Sequence, residues 1–442
     1  MNKHLLKSIR DRMPESLKYI TAPLFRDKLL LNKEFRNCYS NLENREGIAP
    51  AEIKEYQFNQ LKQILIYAFQ NVPYYTELFN EINFRPENLN SFDDIKVIPF
   101  LTKEIIRDNF DKLISVKKVN GGCYRTTTSG STGKPLEMLL DYNSFFKENA
   151  FIYFFRKELG YRYIDKLVTF RGIEFGGRLW RYNPMHNEII FSPFKLSKKS
   201  LDIYVKKINS IKPGYFNGYF SSIYYFTKLL FESNIKLNFR LKGIFFISEK
   251  IDAIERQFVE SFFEVKSMTF YGHTERCIIA QELHQDEYTF DPYYGFTEMI
   301  STNDNNYNIV GTGFLNKTMP LIRYLTDDFC LPISEDKCSI VGRRDLNDFL
   351  LGINGEKISS ASLHFISNFL INVIGYQFIQ NRVGKSVLLL VPTKDFKTSE
   401  LARIKCEIDR ELKGIIDFEI KVDEKLILAS SGKFQMFLRT IE

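Results

Sequence analysis

LKGIFFISEKIDAIERQFVESFFEVKSMTF, residues 241–270, decides the class of fold. LKGIFFIS (241–248) is a short apolar run of strand length and reads as a buried strand. From Asp252 to Phe263 the pattern turns helical, and VKSMTF (265–270) returns to strand character. Upstream, KLVTF (166–170) reads as a strand and YFNGYF (215–220) as a strand and turn, while SSIYYFTKLLF, from Ser221, reads as a helix with a serine at its cap. Strands and helices alternating in this way predict α/β layers.

Outside this stretch, Phe58, Leu61, Leu65, Ala68 and Phe69 line one face of a helix over 55–70, and Pro73 in NVPYY forbids its continuation. Thr102, in IPFLTKEIIRDNF, stands where a helix starts. The last hundred residues read as a separate α+β domain. They hold a helix near 359–371, a hairpin in GYQFIQNRVGKSVLLLVP, a helix over 398–413 and the strand DFEIKV ahead of SSGKF. The hinge is placed at Arg344–Asp345, giving a large α/β domain over 1–343 and a small α+β domain over 344–442.

The chain is 442 residues long, 44% hydrophobic and 26% charged, which excludes a disordered tail, a collagen-like fibre and a small disulfide scaffold. Its 41 Phe and 24 Tyr against one Trp, Trp180, point to bulky core packing. The formal charge of +7 suits phosphorylated or carboxylate ligands and falls short of a nucleic-acid-binding stripe. Six cysteines without a CxxC pair, no signal-peptide apolar region and no run of about 18 apolar residues predict a cytoplasmic protein with reduced thiols and no transmembrane segment. Near the N-terminus, Leu5, Leu6 and Ile9 line a short basic amphipathic helix stopped near Pro14. It is read as packed on its own domain, with peripheral membrane contact as the alternative.

YRTTTSGSTGKPLEMLLD, Tyr124 to Asp141, carries the sharpest chemistry. Glycines let the backbone come close to a ligand, and successive N–H groups with Ser and Thr hydroxyls present donors to phosphate oxygens. Lys134 adds a positive charge for the same anion. The common nucleotide P-loop fails here on two positions, since Thr128 stands where its first Gly belongs and Pro135 where Ser or Thr follows the lysine.

TSGSTGKP resembles the phosphate-binding loop of the adenylate-forming enzymes, namely acyl-CoA synthetases, peptide-synthetase adenylation domains and luciferases. FYGHTE (270–275), YLTDD (324–328), GRRD (342–345) and SSGKF (430–434) resemble that superfamily's further motifs, in its order and near its spacing. NVPYY, IPFLTKE, NGYFSS and ISEK (247–250) narrow the resemblance to phenylacetate–CoA ligases, and within them to CapK-type proteins of surface-polysaccharide gene clusters.

The resemblance implies a site residue by residue. Thr128, Ser129, Ser131, Thr132 and Lys134, with Gly130 and Gly133, would hold the β- and γ-phosphates of ATP. Glu275 would bind Mg²⁺, a hard cation suited to carboxylate oxygens, and Thr274 would contact the α-phosphate. Asp328 would accept the ribose hydroxyls and Arg343 would donate to the same sugar. Tyr271, followed by Gly272, would flank the adenine, near Ser248 and Glu249. Lys433 would bridge the carboxylate and the α-phosphate, and Arg344–Asp345 would be the hinge on which the small domain turns. The YLTDD motif departs from pattern, since Asp327 replaces a glycine; Asp328 is favoured over Asp327 for the ribose.

Tyr219 and Phe220 are candidates for the acyl pocket, and His273 either faces that pocket or packs. Arg171 and Arg323 are read as structural ion pairs, with a substrate carboxylate as the alternative. Some relatives carry a zinc cluster after the YGxTE motif. Only Cys277 and His284 lie in place here, with Leu283 and Tyr288 at the other positions, so no structural zinc is expected.

The implied function is an ATP- and Mg²⁺-dependent, AMP-forming ligase that activates a small-molecule carboxylate and passes the acyl group to a sugar amine or hydroxyl in surface polysaccharide biosynthesis. Coenzyme A is the alternative acceptor, as in phenylacetate–CoA ligases. A non-catalytic nucleotide-binding partner in polysaccharide assembly and an adenylyltransferase that leaves AMP on its product are the rival readings. A homodimer is common among the relatives.

Overall fold

The computed structural model describes residues 30–441 except 46, 128–135, 172–174, 176, 303–305, 344–348, 360–362, 364–365, 367–368, 371, 413, 430–431 and 433, together with Leu17, Thr21, Arg26 and Asp27. The chain forms two compact units. One comprises 1–164, 184–186 and 268–344, and the other 165–183, 187–267 and 345–442.

In the first unit the apolar face over 55–70 becomes the helix Pro50–Asn71. Pro73 both stops that helix and opens the next, Pro73–Glu81, because a proline at the first helical position lacks only an N–H that has no partner there. Leu61, Leu65, Tyr75 and Phe79 from this helix pair are buried with Ile278, Ile309 and Tyr324 in one core. The latter three belong to a region dominated by a seven-stranded antiparallel sheet. Its spatial order is Gly295–Ser301, Tyr307–Gly313, Tyr324–Pro332, Lys337–Arg343, Glu287–Phe290, Ile279–His284 and Phe270–Gly272. Thr102 caps the short helix Lys103–Asp108, accepting a hydrogen bond from the Ile105 N–H. Just before it, Leu101 exchanges backbone hydrogen bonds with Arg323 and Leu325 at the start of the Tyr324–Pro332 strand. The IPFLTKE loop is therefore an added rail along the YLTDD segment.

The second unit holds the alternating α/β pattern. Its sheet runs Trp180–Asn183, Glu188–Phe191, Leu167–Phe170, Tyr215–Tyr219, Gly243–Ile247 and Ser267–Met268. The four strands from Glu188–Phe191 to Gly243–Ile247 are mutually parallel. Asp252 caps the helix Ala253–Phe263 by accepting from the N–H groups of Ile254 and Glu255. The segment 345–442 contributes a four-stranded sheet, ordered Asp417–Val422, Lys385–Pro392, Val373–Arg382 and Phe437–Arg439. The helix Ser399–Leu412 packs Ile404 and Ile408 into a core with Phe378, Leu388 and Phe418.

Several local expectations need correction. VKSMTF is not one strand. Ser267–Met268 and Phe270–Gly272 fall in different sheets, with Thr269 as the crossing residue. The expected turn in YFNGYF is absent, since strand Tyr215–Tyr219 passes directly into helix Phe220–Glu232. Ser221 is not that helix's cap. Its N–H and hydroxyl both donate to the distant Glu249 carboxylate, which supplies the negative charge that a helix N-terminus favours. The helix expected near 359–371 lies largely outside the described residues, as do the N-terminal amphipathic segment and the Arg344–Asp345 hinge. Among the described residues no helix is long and apolar enough to cross a membrane.

Gly218 is a point where the sequence has no freedom. It takes φ +149°, opposite Phe170 in the parallel ladder, and a Cβ there would lie 2.2 Å from the Phe170 carbonyl oxygen. We expect Gly218→Ala to destabilise the protein by about 1–3 kcal/mol, as overpacking typically does. A chemical-denaturation midpoint equal to wild type contradicts the close approach.

Candidate functional site

The edge strand Phe270–Gly272 pairs with Ile279–His284, and the residues between turn sharply, with Arg276 at φ +55° and its N–H bonded to the His273 carbonyl. Beneath the turn, Gly295, which begins the strand at the other edge of the same sheet, lets the turn's backbone come close. A Cβ at that position would lie 2.2 Å from the Cys277 carbonyl oxygen. On this turn Gly272 and Thr274 are exposed while Glu275 is buried.

The Glu275 carboxylate accepts a hydrogen bond from the Tyr324 hydroxyl at 2.7 Å through Oε1. His273 Nδ1 stands 3.3 Å from Oε2 without hydrogen-bond alignment, and both imidazole nitrogens lack a hydrogen-bond partner among the described residues. Burial pushes the Glu275 carboxyl up. His273 and the Tyr324 hydroxyl outweigh it and hold the pKa down at about 2. An ionised carboxylate with lone pairs to spare fits a hard divalent cation. Among the described residues no group of three His, Cys, Asp or Glu side chains assembles that could hold a metal by itself, so phosphate oxygens and water must complete any shell there.

Tyr271, on the edge strand, donates to Asp328 Oδ2 at 2.7 Å. Burial, then the Asp328 charge, pushes its phenol well above the usual range. Asp328 stands opposite Arg343 in the ladder between Tyr324–Pro332 and Lys337–Arg343. Asp327, where a glycine was expected, does take a left-handed conformation, φ +64°, and its carboxylate is paired with Lys103. The two acids are thereby sorted, one to Lys103 and the other to Tyr271.

Tyr271, His273, Glu275, Tyr324 and Asp328 thus lie together in the first unit. Ser248, at φ +61°, and Glu249, Tyr219 and Phe220 belong to the second unit. Thr128 to Lys134 and Lys433 lie outside the described residues, as does the side chain of Arg343. Arg323 is a structural pair: it binds both oxygens of Glu298, at 2.9 and 2.8 Å, and donates to the carbonyls of Lys96 and Ile98.

Two positions were missed from sequence. Lys103 stands inside IPFLTKE but was given no role there, and only its place after the Thr102 cap hinted at a fixed orientation. Arg276 follows Glu275 and points the other way, into buried contacts with Glu148 at 2.8 Å, the Ser144 hydroxyl at 2.9 Å and the Tyr124 hydroxyl at 2.8 Å. Tyr124 lies on the strand Cys123–Thr127, which ends just before Thr128. Arg276 therefore ties the Glu275 turn to the strand that precedes the TSGSTGKP segment.

No family model matches the chain. Over 414 residues it is 25% identical to Protein CapK of Staphylococcus aureus, covering 88% of this chain and 90% of that protein. A stretch of 95 residues is 30% identical to phenylacetate-coenzyme A ligase of Aromatoleum evansii, covering 22% of each. Among solved structures, 2-hydroxyisobutyryl-CoA ligase in the postadenylation state, in complex with R3-HIB-AMP, superposes with a TM-score of 0.66 at 17% identity, covering 89% of this chain and 90% of that one. The open conformation of the same ligase with 2-HIB-AMP and CoA gives 0.54 at 17% identity, covering 87% and 91%. The fold is the two-domain fold of adenylate-forming ligases.

The Glu275 environment predicts a pH dependence. Its folded pKa of about 2 lies below the ordinary carboxylate value of 4.5, so its contribution is complete above about 4.5 and is lost as pH falls toward 2. Such a shift corresponds to a stabilisation on the order of 3 kcal/mol. In urea titrations across this range, the stability difference between wild type and Glu275→Gln should shrink as pH falls; a difference independent of pH contradicts the assignment.

Proposed function

We propose that this chain, similar to CapK and to phenylacetate-coenzyme A ligases and sharing the fold of adenylate-forming ligases, is an ATP-dependent, AMP-forming carboxylate ligase whose acyl acceptor is a sugar amine or hydroxyl in surface polysaccharide assembly. The observation that carries the reading is the cluster in which Tyr271 holds Asp328 and Tyr324 holds Glu275, with His273 between the two pairs. An exposed Thr274 beside a buried, ionised Glu275 suits phosphate and metal, and a buried Asp328 beside a tyrosine suits a nucleoside.

In this reading the oxygen of a bound carboxylate attacks the α-phosphorus of ATP. The bond from that phosphorus to the bridging oxygen breaks, and pyrophosphate leaves. Thr128, Ser129, Ser131, Thr132 and Lys134, with Gly130 and Gly133, hold the phosphates through their donors. Thr274 contacts the α-phosphate, and Asp328 and Arg343 hold the ribose hydroxyls. Tyr271 flanks the adenine with Gly272, Ser248 and Glu249. Mg²⁺, ligated by Glu275, would neutralise phosphate charge. Lys433, on a small domain of residues 344–442 that turns at Arg344–Asp345, lies between the two anions and offsets their repulsion. In the second half-reaction the acceptor nucleophile attacks the acyl carbonyl carbon and AMP departs.

The motifs that resemble CapK-type proteins of surface-polysaccharide gene clusters, together with similarity to Protein CapK over 88% of the chain, are what favour the sugar acceptor, and the reaction is assigned to the cytoplasm in the same reading. The fold of 2-hydroxyisobutyryl-CoA ligase supports a second reading in which coenzyme A takes the acyl group. Pyrophosphate release from ATP and Mg²⁺, run across amino, aromatic, hydroxy and short fatty acids, tests the first step. One acid class should respond, and Lys433→Ala and Glu275→Gln should each lower the rate roughly 10²–10³-fold. The active acid is then offered nucleotide sugar or coenzyme A, and AMP release identifies the acceptor. Silence across the whole panel with ATP still bound overturns the ligase in favour of a nucleotide-binding partner protein.

A further inference from the structure

In the second unit the parallel strands lie in the order Glu188–Phe191, Leu167–Phe170, Tyr215–Tyr219, Gly243–Ile247. From the end of Leu167–Phe170 the chain goes on to the Glu188–Phe191 side, whereas from the end of Tyr215–Tyr219 it goes on to Gly243–Ile247. Open α/β sheets bind ligands in the crevice outside the strands' carboxyl ends, where the winding reverses in this way. Arg171 is the first residue beyond one of these two strands, and Tyr219 is the last residue of the other.

The sheet around them is polar where parallel sheets are ordinarily apolar. Glu188 is 4% exposed; it accepts from the Thr169 hydroxyl at 2.7 Å and from Asn183 Nδ2 at 2.7 Å, while Asn217 Nδ2 donates to the same Thr169 oxygen at 3.2 Å. This row ends at Arg171, whose Nη2 approaches Glu188 no closer than 4.0 Å and whose side chain is 39% exposed. Its Nε is buried without a hydrogen-bond partner among the described residues. Arg323 shows what a structural arginine of this chain does instead: it is 5% exposed and grips both oxygens of Glu298. The Tyr219 phenol, pushed up by burial, feels both the Arg171 cation and the Glu249 carboxylate. Arg171 is thus oriented by a buried carboxylate that two other donors already occupy, and the fork of its guanidinium suits an oxyanion.

We propose that Arg171 is a specificity-determining residue that binds a second oxyanion of the substrates, a carboxylate or phosphate group distinct from the carboxylate being activated. The proposal rests on the adenylation reading for its substrates and goes beyond it in naming their chemistry. Two sources supply such a group, a second carboxylate on the acyl donor or the diphosphate of a nucleotide-sugar acceptor.

Calorimetric titration of the full chain, holding a non-hydrolysable ATP analogue, distinguishes them. Succinate and glutarate are compared with butyrate and valerate, and UDP-N-acetylglucosamine with N-acetylglucosamine. One oxyanion-bearing probe should bind at least about 10-fold more tightly than its counterpart. That preference should vanish in Arg171→Gln and be reduced in Arg171→Lys, which keeps the charge toward Glu188 but loses the fork. The first pair responding assigns the site to the donor, and the second to the acceptor. A preference that survives in both variants, or no preference in wild type, overturns the proposal. Binding is read without turnover, so a preference lost in Arg171→Gln alongside no pyrophosphate release from any acid sustains this site and retires the ligase reading.

Discussion

The Arg276 guanidinium is the contact on which the candidate site depends. Buried and shared among Glu148, Ser144 and Tyr124, it joins the helix Tyr142–Arg156 and the strand Cys123–Thr127 to the turn that carries His273, Thr274 and Glu275. Taking a cation out of water costs several kcal/mol, and only a full set of acceptors repays it, so the turn is held in one geometry. Glu275 and Arg276 are adjacent in sequence and opposite in use. One charge faces the hydroxyl of Tyr324, and the other is consumed by the scaffold. The close approach at Gly295 supplies the room in which this opposition fits.

The helix starts and breaks were legible because their signals are local. Thr102 and Asp252 announce helix starts with side chains that bond their own helix, and Pro73 enforces a break wherever it stands. The seven-stranded antiparallel sheet was not legible, because strands such as Tyr307–Gly313 and Tyr324–Pro332 acquire meaning only through partners distant in sequence. The parting of VKSMTF between two sheets has the same cause: nothing in Thr269 itself marks a crossing. The helix cap misassigned to Ser221 failed because the acceptor, Glu249, is 28 residues away.

The candidate site divides along the same line. Tyr271, Glu275 and Asp328 stood out as motif members, and they fall in one cluster. Lys103 and Arg276 did not stand out, since an ion pair across some hundreds of residues leaves no spacing to read. The polar row from Asn217 through Thr169 and Glu188 toward Arg171 was equally silent, as each residue is ordinary alone and unusual only beside the others in an apolar sheet.

Asp327 has a consequence for how this sequence can change over time. A glycine at this left-handed position tolerates nearly any neighbour. An aspartate there accepts backbone strain and ties its carboxylate to Lys103, a residue buried on a different element. Losing Asp327 strands the buried Lys103 ammonium, whereas losing Lys103 leaves a half-exposed Asp327 carboxylate to water, so the two changes are unequal and not additive. Positions 103 and 327 are thereby ordered in time: the aspartate can outlive its lysine, but the lysine can hardly outlive its aspartate.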